Sequence, residues 1–429
     1  MRAERKRRSR FDPKNLMWVM PPKGVIMSAD RARSLSTPTL GLIWFGASVS
    51  LAEILTGTFF APLGFEQGMA AILVGHVIGG ALFWLVSFVS AKTGTSAMQA
   101  VSRSFGRAGA GAFSLANVVQ LIGWTAIMIM SGGTAASLLV PQLGMMGWCA
   151  IIGVLIVVWI AIGVKRMGRV QSIAAVLLLA LTFVVSSVVF GSGGSAAPTG
   201  DGDLSFGAAV ELACAMPLSW LPVAGDYLRE AKHPAAGTAA ASVAYTIGSC
   251  WMFAIGLGSA LFAGSDDVAS VLSQAGFGIV GVIVVVFSTV TTTFLDAQSA
   301  GVSAESVSKR LDGRICGIVA AVVGCALAMF VPVGDFEEFL YLIGSVFAPM
   351  ATIVCVDYFV LRRNREASAI DWRNVALWVV GFVLYRFSLT WDIPCGNTLP
   401  VMAAIAVVAI LTDIIARKAA PQRGHKANA

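Results

Sequence analysis

Charged residues are scarce in this chain, at 12% of its 429 residues, and the mean hydropathy is +0.81. A soluble domain carries about 25% charged residues, so the composition excludes an ordinary soluble protein. The apolar residues form twelve runs. At about 20 residues, such runs can cross the roughly 30 Å hydrocarbon core of a bilayer as helices. A transmembrane barrel is excluded, because its strands would be short and alternating.

Cysteine and histidine are also few, at seven and three residues, and no CxxC or Cys/His pairing is present. We therefore expect no disulfide framework, no metal centre of that type and no resident cofactor. His76 is the only histidine inside an apolar run, and we interpret it as a hydrogen-bonded helix-packing residue. The sequence also lacks a nucleophile–base pair and a phosphate-cradling glycine loop, which argues against an enzyme.

Positive charge is missing from every second connector between the apolar runs. The two tails and the even-numbered connectors hold 29 of the 30 lysines and arginines, and Arg386 is the remaining one. Because positive charge marks the cytoplasmic face, this predicts an even number of spans with both termini cytoplasmic, in the cell (inner) membrane. We interpret the net charge of +7, including the start MRAERKRRSR, as an orientation signal at the lipid bilayer. It does not indicate a nucleic-acid partner, and no obligate protein partner is evident.

The chain divides into two sets of five spans and a final pair. The predicted spans are 40–61, 68–91, 110–139, 147–164, 172–191, 206–226, 236–263, 276–301, 315–331, 337–360, 374–391 and 398–416. The predicted divisions are a basic cytoplasmic tail (1–36), a first five-helix repeat (37–191), an external linker (192–205), a second five-helix repeat (206–360), two C-terminal helices (361–416) and a cytoplasmic tail (417–429).

An odd number of spans in the first set makes the second set start on the opposite side of the membrane. That is the geometry of the inverted repeats that secondary transporters use for alternating access, with an interrupted helix at the same place in each half. The sixth span carries Pro217 and Pro222, which should bend or unwind it. The first span carries Gly41, Gly46 and Gly57, a weaker indication of a break. Irregular backbone at this depth is tolerated where it lines a cavity.

Four short motifs then suggest a family. They are Ala91–Gly94 (AKTG), Ser104–Gly106 (SFG), Gly225–Arg229 (GDYLR) and Asp357–Phe359 (DYF). With them the chain, from about Lys23 on, resembles the nucleobase:cation symporters of the NCS1 type. The resemblance implies an all-α integral membrane protein with twelve transmembrane helices, built as a leucine-transporter-like 5+5 inverted repeat plus two C-terminal helices.

Within that family the sequence looks most like the hydroxymethylpyrimidine permeases associated with thiamin supply. The residues that carry this likeness are Glu53 in the first span and the run Met216–Pro222 in the sixth. Bacterial cytosine permease is the next most similar. The implied function is the cation-coupled import of a small planar heterocycle by a symporter, with hydroxymethylpyrimidine as the expected substrate. Cytosine or another nucleobase is the alternative.

Glu53 is the sharpest single signal, because an ionisable side chain inside a span costs about 2.5–3.5 kcal/mol on insertion scales. It should face the protein interior. There it could accept hydrogen bonds from the exocyclic amine of an aminopyrimidine, carry a proton, or act as a partner for backbone exposed by the break in the first span.

Aromatic and amide side chains in the third and sixth spans could bind a flat ring. Gln120 and Trp124 lie one helical turn apart, and an indole can stack on a ring whose edge an amide contacts. In the sixth span the resemblance implies a second aromatic and a polar group, which would be Trp220 and Ser219. Pro217 stands where cytosine permease has the aromatic, so Trp220 would act from a shifted position. Packing roles are the alternative for both tryptophans.

The eighth span is rich in hydroxyl groups, which are suitable ligands for Na⁺. By resemblance, Thr291, Thr292 and the carbonyls of Gly41 and Trp44 would form a sodium site. The resemblance also turns Ser288 and Phe45 toward the substrate. The alternative is that these hydroxyls bond back to their own helix. The other charged or aromatic candidates are Asp296 as an inner-gate or proton-linked acid, Glu211 and Asp226 as boundary or gate residues, and Arg386 and Trp391 as interfacial anchors.

The coupling ion stays open between Na⁺ and H⁺, because the threonines suit the first and Glu53 and Asp296 allow the second. An amino-acid transporter on the same fold is a weaker alternative, because Glu53 would repel the substrate carboxylate. A passive channel is weaker still, since channels commonly assemble a pore from several subunits.

Overall fold

The computed structural model of the chain is all-helical. It describes residues 33–162, 182–191, 204–262, 278–330 and 336–419, together with a few single positions between 176 and 198. The basic start and most of the predicted external linker lie outside the described residues.

Fourteen α-helical segments make up the described part. They are α1 (Thr37–Ser48), α2 (Leu51–Thr58), α3 (Gly64–Thr93), α4 (Ala97–Leu139), α5 (Gly144–Ile162), α6 (182–190), α7 (Phe206–Ser219), α8 (Leu221–Leu228), α9 (Pro234–Phe262), α10 (Gly278–Val307), α11 (Gly313–Phe330), α12 (Phe336–Cys355), α13 (Trp372–Ser388) and α14 (Thr398–Ala419). A π-helical turn, Val356–Leu361, extends α12.

Most of the predicted spans coincide with these helices to within a few residues, but α4 begins at Ala97, well before the predicted start of the third span at 110, and is kinked at Gly106. Among the described residues, nine helices are long and apolar enough to cross a membrane, or ten when α1 and α2 count as one bent span. Of the other two predicted spans, 374–391 corresponds to α13, a helix of 17 residues, and 172–191 is described mainly through α6. The all-α membrane architecture is therefore confirmed. The count of twelve spans and the domain boundaries stay predictions.

The first span is broken, but not at its glycines. α1 ends at Ser48 and α2 begins at Leu51, and the two helices are bent by 51°. Ser50 has extended backbone, and its hydroxyl caps α2 by accepting from the amide of Glu53 at 3.2 Å. Such a cap supplies a partner for one of the free N–H groups at a helix start. The carbonyls of the last turn of α1, including those of Gly46 and Ala47, are left at the break.

The sixth span is interrupted less than its two prolines suggested. α7 ends at Ser219 and α8 begins at Leu221, but Trp220 between them keeps helical torsion angles (φ −86°, ψ −9°). The two helices together form one span, Phe206–Leu228. The mildness of this break follows from the position of Pro222 in the first turn of α8, where the missing N–H has no helical partner to lose. The stronger break is therefore in the span whose sequence signal was weaker.

Small residues bring α2 and α9 into close contact. A side-chain carbon added at Gly57 would collide with the backbone of Phe253, and one added at Gly256 would collide with the carbonyl of Ile54. Close approach through glycine is a common way for membrane helices to associate. This contact fixes α2, and with it Glu53, against the face of α9 that carries Tyr245 and Ser249.

Replacing Gly57 with alanine is therefore expected to destabilise the protein by about 1–3 kcal/mol, the usual effect of overpacking a core. The change would appear as a lower thermal midpoint of the purified protein in detergent. Gly111→Ala is the matched control, because no atom lies within 4 Å of a side-chain carbon added there. Equal midpoints for the two variants would contradict the close α2–α9 contact.

Candidate functional site

A cavity lies where the breaks of the first and sixth spans face each other, with α4 and α10 as its other walls. Its lining consists of Ala47, Ser50, Ala52, Glu53, Trp124, Met128, Met216, Ser219, Trp220, Thr292 and Asp296. These residues come from the first, third, sixth and eighth predicted spans. The structure therefore brings together six of the predicted site residues, Glu53, Trp124, Ser219, Trp220, Thr292 and Asp296.

Glu53 is 1% exposed and is held by hydrogen bonds from α9. The Tyr245 hydroxyl donates to Oε1 at 2.7 Å, and Ser249 Oγ lies 2.5 Å from Oε2. Ser249 Oγ in turn lies 2.6 Å from Nε2 of His76 on α3. The predicted inward orientation of Glu53 is thus what the structure shows, and each oxygen keeps a lone pair for a further partner.

The two predicted aromatics both reach the cavity. Trp220 donates its Nε1–H to the hydroxyl of Tyr245 at 2.9 Å. Trp44 packs edge-on against the indole of Trp220, with ring centroids 5.3 Å apart. Trp124 packs edge-on against Phe339, with centroids 5.5 Å apart. These contacts hold each indole in place, and both indoles also border the cavity.

Gln120 lies beside the cavity and ties α4 to the interruption between α7 and α8. Its Nε2 donates to the carbonyl of Ser219 at 3.3 Å and to Oδ1 of Asn117 at 2.9 Å. Asn117 donates onward to the carbonyl of Pro222 at 3.0 Å. Oε1 of Gln120 is buried without a hydrogen-bond partner among the described residues, so this side chain still has one unused acceptor.

The two threonines predicted to hold sodium are in different situations. Thr291 bonds back to its own helix, donating to the carbonyl of Phe287 at 2.8 Å or that of Ser288 at 3.0 Å. Thr292 lines the cavity, and its buried hydroxyl has no partner in the part of the chain that the structure describes. Of these two threonines, Thr292 is therefore the one whose hydroxyl lines the cavity without a partner among the described residues.

Gly41, Trp44, Phe45 and Ser288 are not in the cavity lining. Gly41 and Trp44 lie inside the regular part of α1, which continues to Ser48, and the face of Gly41 is turned toward α9. Phe45 packs in an apolar cluster with residues of α9 and α6. Ser288 donates to the carbonyl of Val49 at 2.5 Å, so it supports the break itself. In this structure α1 therefore ends about one turn beyond Trp44, and the sodium site at the carbonyls of Gly41 and Trp44 stays a prediction.

Asp296 lies on the α10 wall and is 4% exposed. It has no hydrogen bond to any residue that the structure describes, which sets it apart from Glu53. A buried carboxyl without partners is costly, so such a group is a candidate for contact with a ligand.

Two other buried acids have structural partners. Glu211 accepts from the Asn397 and Thr398 amides at 2.6 and 2.7 Å and from the Tyr385 hydroxyl, which fastens α13 and α14 to α7. Asp226 accepts from the amide of Ala97 at 3.0 Å, at the start of α4. The gate roles for these two stay predictions.

Arg386 forms an exposed ion pair with Glu338 at 3.3 Å, and Trp391 is 49% exposed. These positions suit the interfacial anchors that the sequence predicts.

Sequence reasoning missed the residues that hydrogen-bond to Glu53. It also missed two methionines that line the cavity. Tyr245 and Ser249 are four residues apart on one face of α9, a polar pair inside an apolar span that could have been noticed. Met128 and Met216 gave no signal, because methionine is common in apolar helices.

Comparison with known proteins finds related sequences along most of the chain. The profile of a family described as permeases for cytosine/purines, uracil, thiamine and allantoin matches residues 29–391. The cytosine permease of Escherichia coli strain K12 is 23% identical over 409 residues, which are 91% of this chain and 93% of that permease.

Solved structures show the same fold. Mhp1, a nucleobase-cation-symport-1 family transporter, in a closed conformation with bromovinylhydantoin bound, superposes with a TM-score of 0.77 at 19% identity, covering 90% of this chain and 93% of Mhp1. Inward-facing Mhp1 gives 0.74 at 20% identity, with coverage of 90% and 92%. A Na⁺-coupled sialic acid symporter gives 0.65 at 16% identity, again with coverage of 90% and 92%.

Proposed function

The chain belongs to the family of permeases for cytosine/purines, uracil, thiamine and allantoin and is a nucleobase:cation symporter of the NCS1 type, and we propose that it imports hydroxymethylpyrimidine. It is a multi-pass membrane transporter and not an enzyme. The proposal places it in the inner membrane with both termini cytoplasmic, as the distribution of lysine and arginine predicts.

The observation that carries the substrate proposal is the excess of acceptors around the cavity. The Asp296 carboxyl lines the cavity without a hydrogen bond to the described residues, and Oε1 of Gln120 is an unpartnered acceptor beside it. Acceptors left unpaired in a buried site favour a ligand that donates hydrogen bonds. The exocyclic amine of an aminopyrimidine is such a donor, whereas the ring edges of uracil and hydantoin alternate between carbonyls and N–H groups.

The apolar part of the lining distinguishes hydroxymethylpyrimidine from cytosine. Met128, Met216, Ala47 and Ala52 border the cavity and offer no hydrogen-bond donor. Between its two ring nitrogens cytosine has a carbonyl, which would need a donor, while hydroxymethylpyrimidine has a methyl group at that place. Desolvating an unpaired carbonyl is unfavourable, and burying a methyl group is favourable.

Two tryptophans at the cavity support binding of a flat ring. Trp124 comes from α4 and Trp220 from the interruption between α7 and α8, so a ring between them would contact both halves of the fold. Stacking on an aromatic side chain contributes roughly 1–3 kcal/mol per base. The ring would therefore bind most tightly when the two halves are close together.

We propose that Na⁺ is a coupling cation and that it binds to the hydroxyl oxygen of Thr292. The carbonyls of Gly46 and Ala47 at the end of α1 would complete such a site in place of those of Gly41 and Trp44. Hydroxyl and carbonyl oxygens are hard ligands that suit a small hard cation.

Ligand binding to purified protein in detergent tests the substrate assignment. Tryptophan fluorescence would be titrated with hydroxymethylpyrimidine, cytosine, uracil and hydantoin, with Na⁺ or with choline. We expect hydroxymethylpyrimidine to bind at least tenfold more tightly than cytosine, and uracil and hydantoin to bind weakest.

Tighter binding of cytosine would identify cytosine as the substrate instead of hydroxymethylpyrimidine. The interpretation of the cavity as a site that accepts hydrogen bonds from an exocyclic amine would stand. Tighter binding of uracil or hydantoin would overturn the acceptor-rich interpretation of the cavity.

A further inference from the structure

A line of hydrogen bonds leads from Glu53 away from the cavity to α3. Glu53 Oε2 is 2.5 Å from Ser249 Oγ, Ser249 Oγ is 2.6 Å from His76 Nε2, and His76 Nδ1 is 2.9 Å from the carbonyl oxygen of Ile72. Glu53, Ser249 and His76 are each 1% exposed or less. These three side chains are called the relay below.

The three contacts of the relay need three hydrogens. The carbonyl of Ile72 can only accept, so Nδ1 of His76 must donate to it. A neutral imidazole supplies that one hydrogen, and the hydroxyl of Ser249 supplies a second. With Glu53 ionised and His76 neutral, one of the two remaining contacts would join lone pair to lone pair at 2.5 or 2.6 Å. The geometry is satisfied only when the relay holds one additional proton.

That proton has two possible positions. On His76 it would make an imidazolium that donates to Ser249, which then donates to an ionised Glu53, so two charges would be buried. On Glu53 it lets the carboxyl donate to Ser249 and Ser249 donate to a neutral His76, with no charge at all. Burying two ions at membrane depth costs more than burying two neutral groups. The Tyr245 hydroxyl, which donates to Oε1, is compatible with both arrangements.

From this geometry we propose that Glu53, Ser249 and His76 form a buried proton-binding site in the wall of the substrate cavity, with the proton resting on Glu53. The relay lies on α2, α9 and α3, apart from the candidate sodium oxygen of Thr292 on α10. As part of the proposed transport function, it gives the protein a proton site whose Glu53 end borders the cavity. The proton is then loaded and released as the cavity opens to each side.

The other titratable groups around Glu53 support retention of this proton. The Tyr245 hydroxyl on α9 donates to Glu53, and the thiol of Cys250 on the same helix is close enough to interact electrostatically with Glu53. Asp296 faces it across the cavity from α10. Among the described residues, no lysine or arginine forms an ion pair with Glu53. Ionising Glu53 would therefore place a second acid opposite Asp296 without a compensating cation.

Infrared spectroscopy of the purified protein at neutral pH tests the relay without any substrate, because a protonated carboxyl has a C=O stretch distinct from that of a carboxylate. We expect a buried protonated-carboxyl band that Glu53→Gln removes. Ser249→Ala should shift this band, because the carboxyl loses its acceptor, and Asp226→Asn should leave it in place. A spectrum in which Glu53→Gln removes no band overturns the proposal.

Transport in proteoliposomes tests the functional part. Glutamine at position 53 can donate to Ser249 as the protonated carboxyl does, but it cannot release a proton. The stimulation of each protein is therefore expressed relative to its own uptake without a gradient. A pH gradient, acid outside, should stimulate uptake by the wild type at least fivefold and by Glu53→Gln not at all. Equal stimulation of both proteins would overturn the role in transport. A wild type that binds none of the tested rings would instead refute the proposed substrate, with the infrared result unaffected.

Discussion

Replacing Asp296 with asparagine is expected to weaken binding of hydroxymethylpyrimidine by about 10- to 100-fold. Asp296 is the cavity acid without a hydrogen bond to the described residues, so its oxygens are free for the substrate amine. A hydrogen bond from the substrate amine favours the ionised form of Asp296, and hydrogen bonds to a charged group contribute roughly 1.5–3 kcal/mol, more than those between neutral groups. Asparagine keeps the shape of the side chain and one acceptor but loses the charge. Equilibrium binding in detergent measures the effect.

Two controls isolate the contact between Asp296 and the substrate. Asp226→Asn makes the same chemical change at a buried acid whose partner is the amide of Ala97, and it should leave affinity unchanged. Measuring in choline as well as in Na⁺ separates a direct contact from an effect through the cation, because a direct contact lowers affinity in both. Wild-type affinity in Asp296→Asn would remove this residue from substrate recognition.

Sodium stimulation of substrate binding is expected to disappear when Thr292 becomes alanine. Coupling free energies between two ligand sites are typically about 1–3 kcal/mol, or roughly 5- to 150-fold in affinity. The ratio of affinities in Na⁺ and in choline should fall from that range to about 1, because the variant lacks the unpartnered oxygen proposed to bind the ion. The measurement is the same fluorescence titration.

Thr291→Ala is the matched control for this prediction. Its side chain is not part of the cavity lining and its hydroxyl donates to carbonyls of its own helix, so its loss should leave the sodium ratio nearly unchanged. Thr292→Ser, which keeps the oxygen, should retain the stimulation. A sodium ratio that persists in Thr292→Ala would place the ion elsewhere, and an equal loss in both alanine variants would indicate a general disturbance of α10.

The long spans, the family and several cavity residues could be predicted because each depends on local or additive properties. A bilayer requires apolar runs of a fixed length, so hydropathy located helices such as α3 and α9 to within a few residues. The high cost of a charge in the membrane directed attention to Glu53. Spacing along a helix indicated which face carried Trp124, since side chains three and four residues apart share a face.

Sequence gave less information about the positions where the backbone departs from a helix. The prolines drew attention to the sixth span, yet the larger bend is at Ser48–Ser50, where serine caps and the hydroxyl of Ser288 stabilise the open backbone. Those partners come from a distant part of the chain, so no local pattern reveals them. For the same reason the carbonyls of Gly41 and Trp44 were expected at a break that lies further along α1.

The sequence by itself determined that this protein lies in a membrane and where most of its described spans are, because burial in lipid constrains every residue of a span separately. Its motifs determined the family. Only the tertiary structure decided which polar groups meet. Glu53 faces Tyr245 and Ser249, close to two hundred positions away, because glycines let α2 and α9 approach. Thr292 and Asp296 differ from Thr291 in lining the cavity without a hydrogen-bond partner among the described residues, a property that depends on neighbours contributed by other helices.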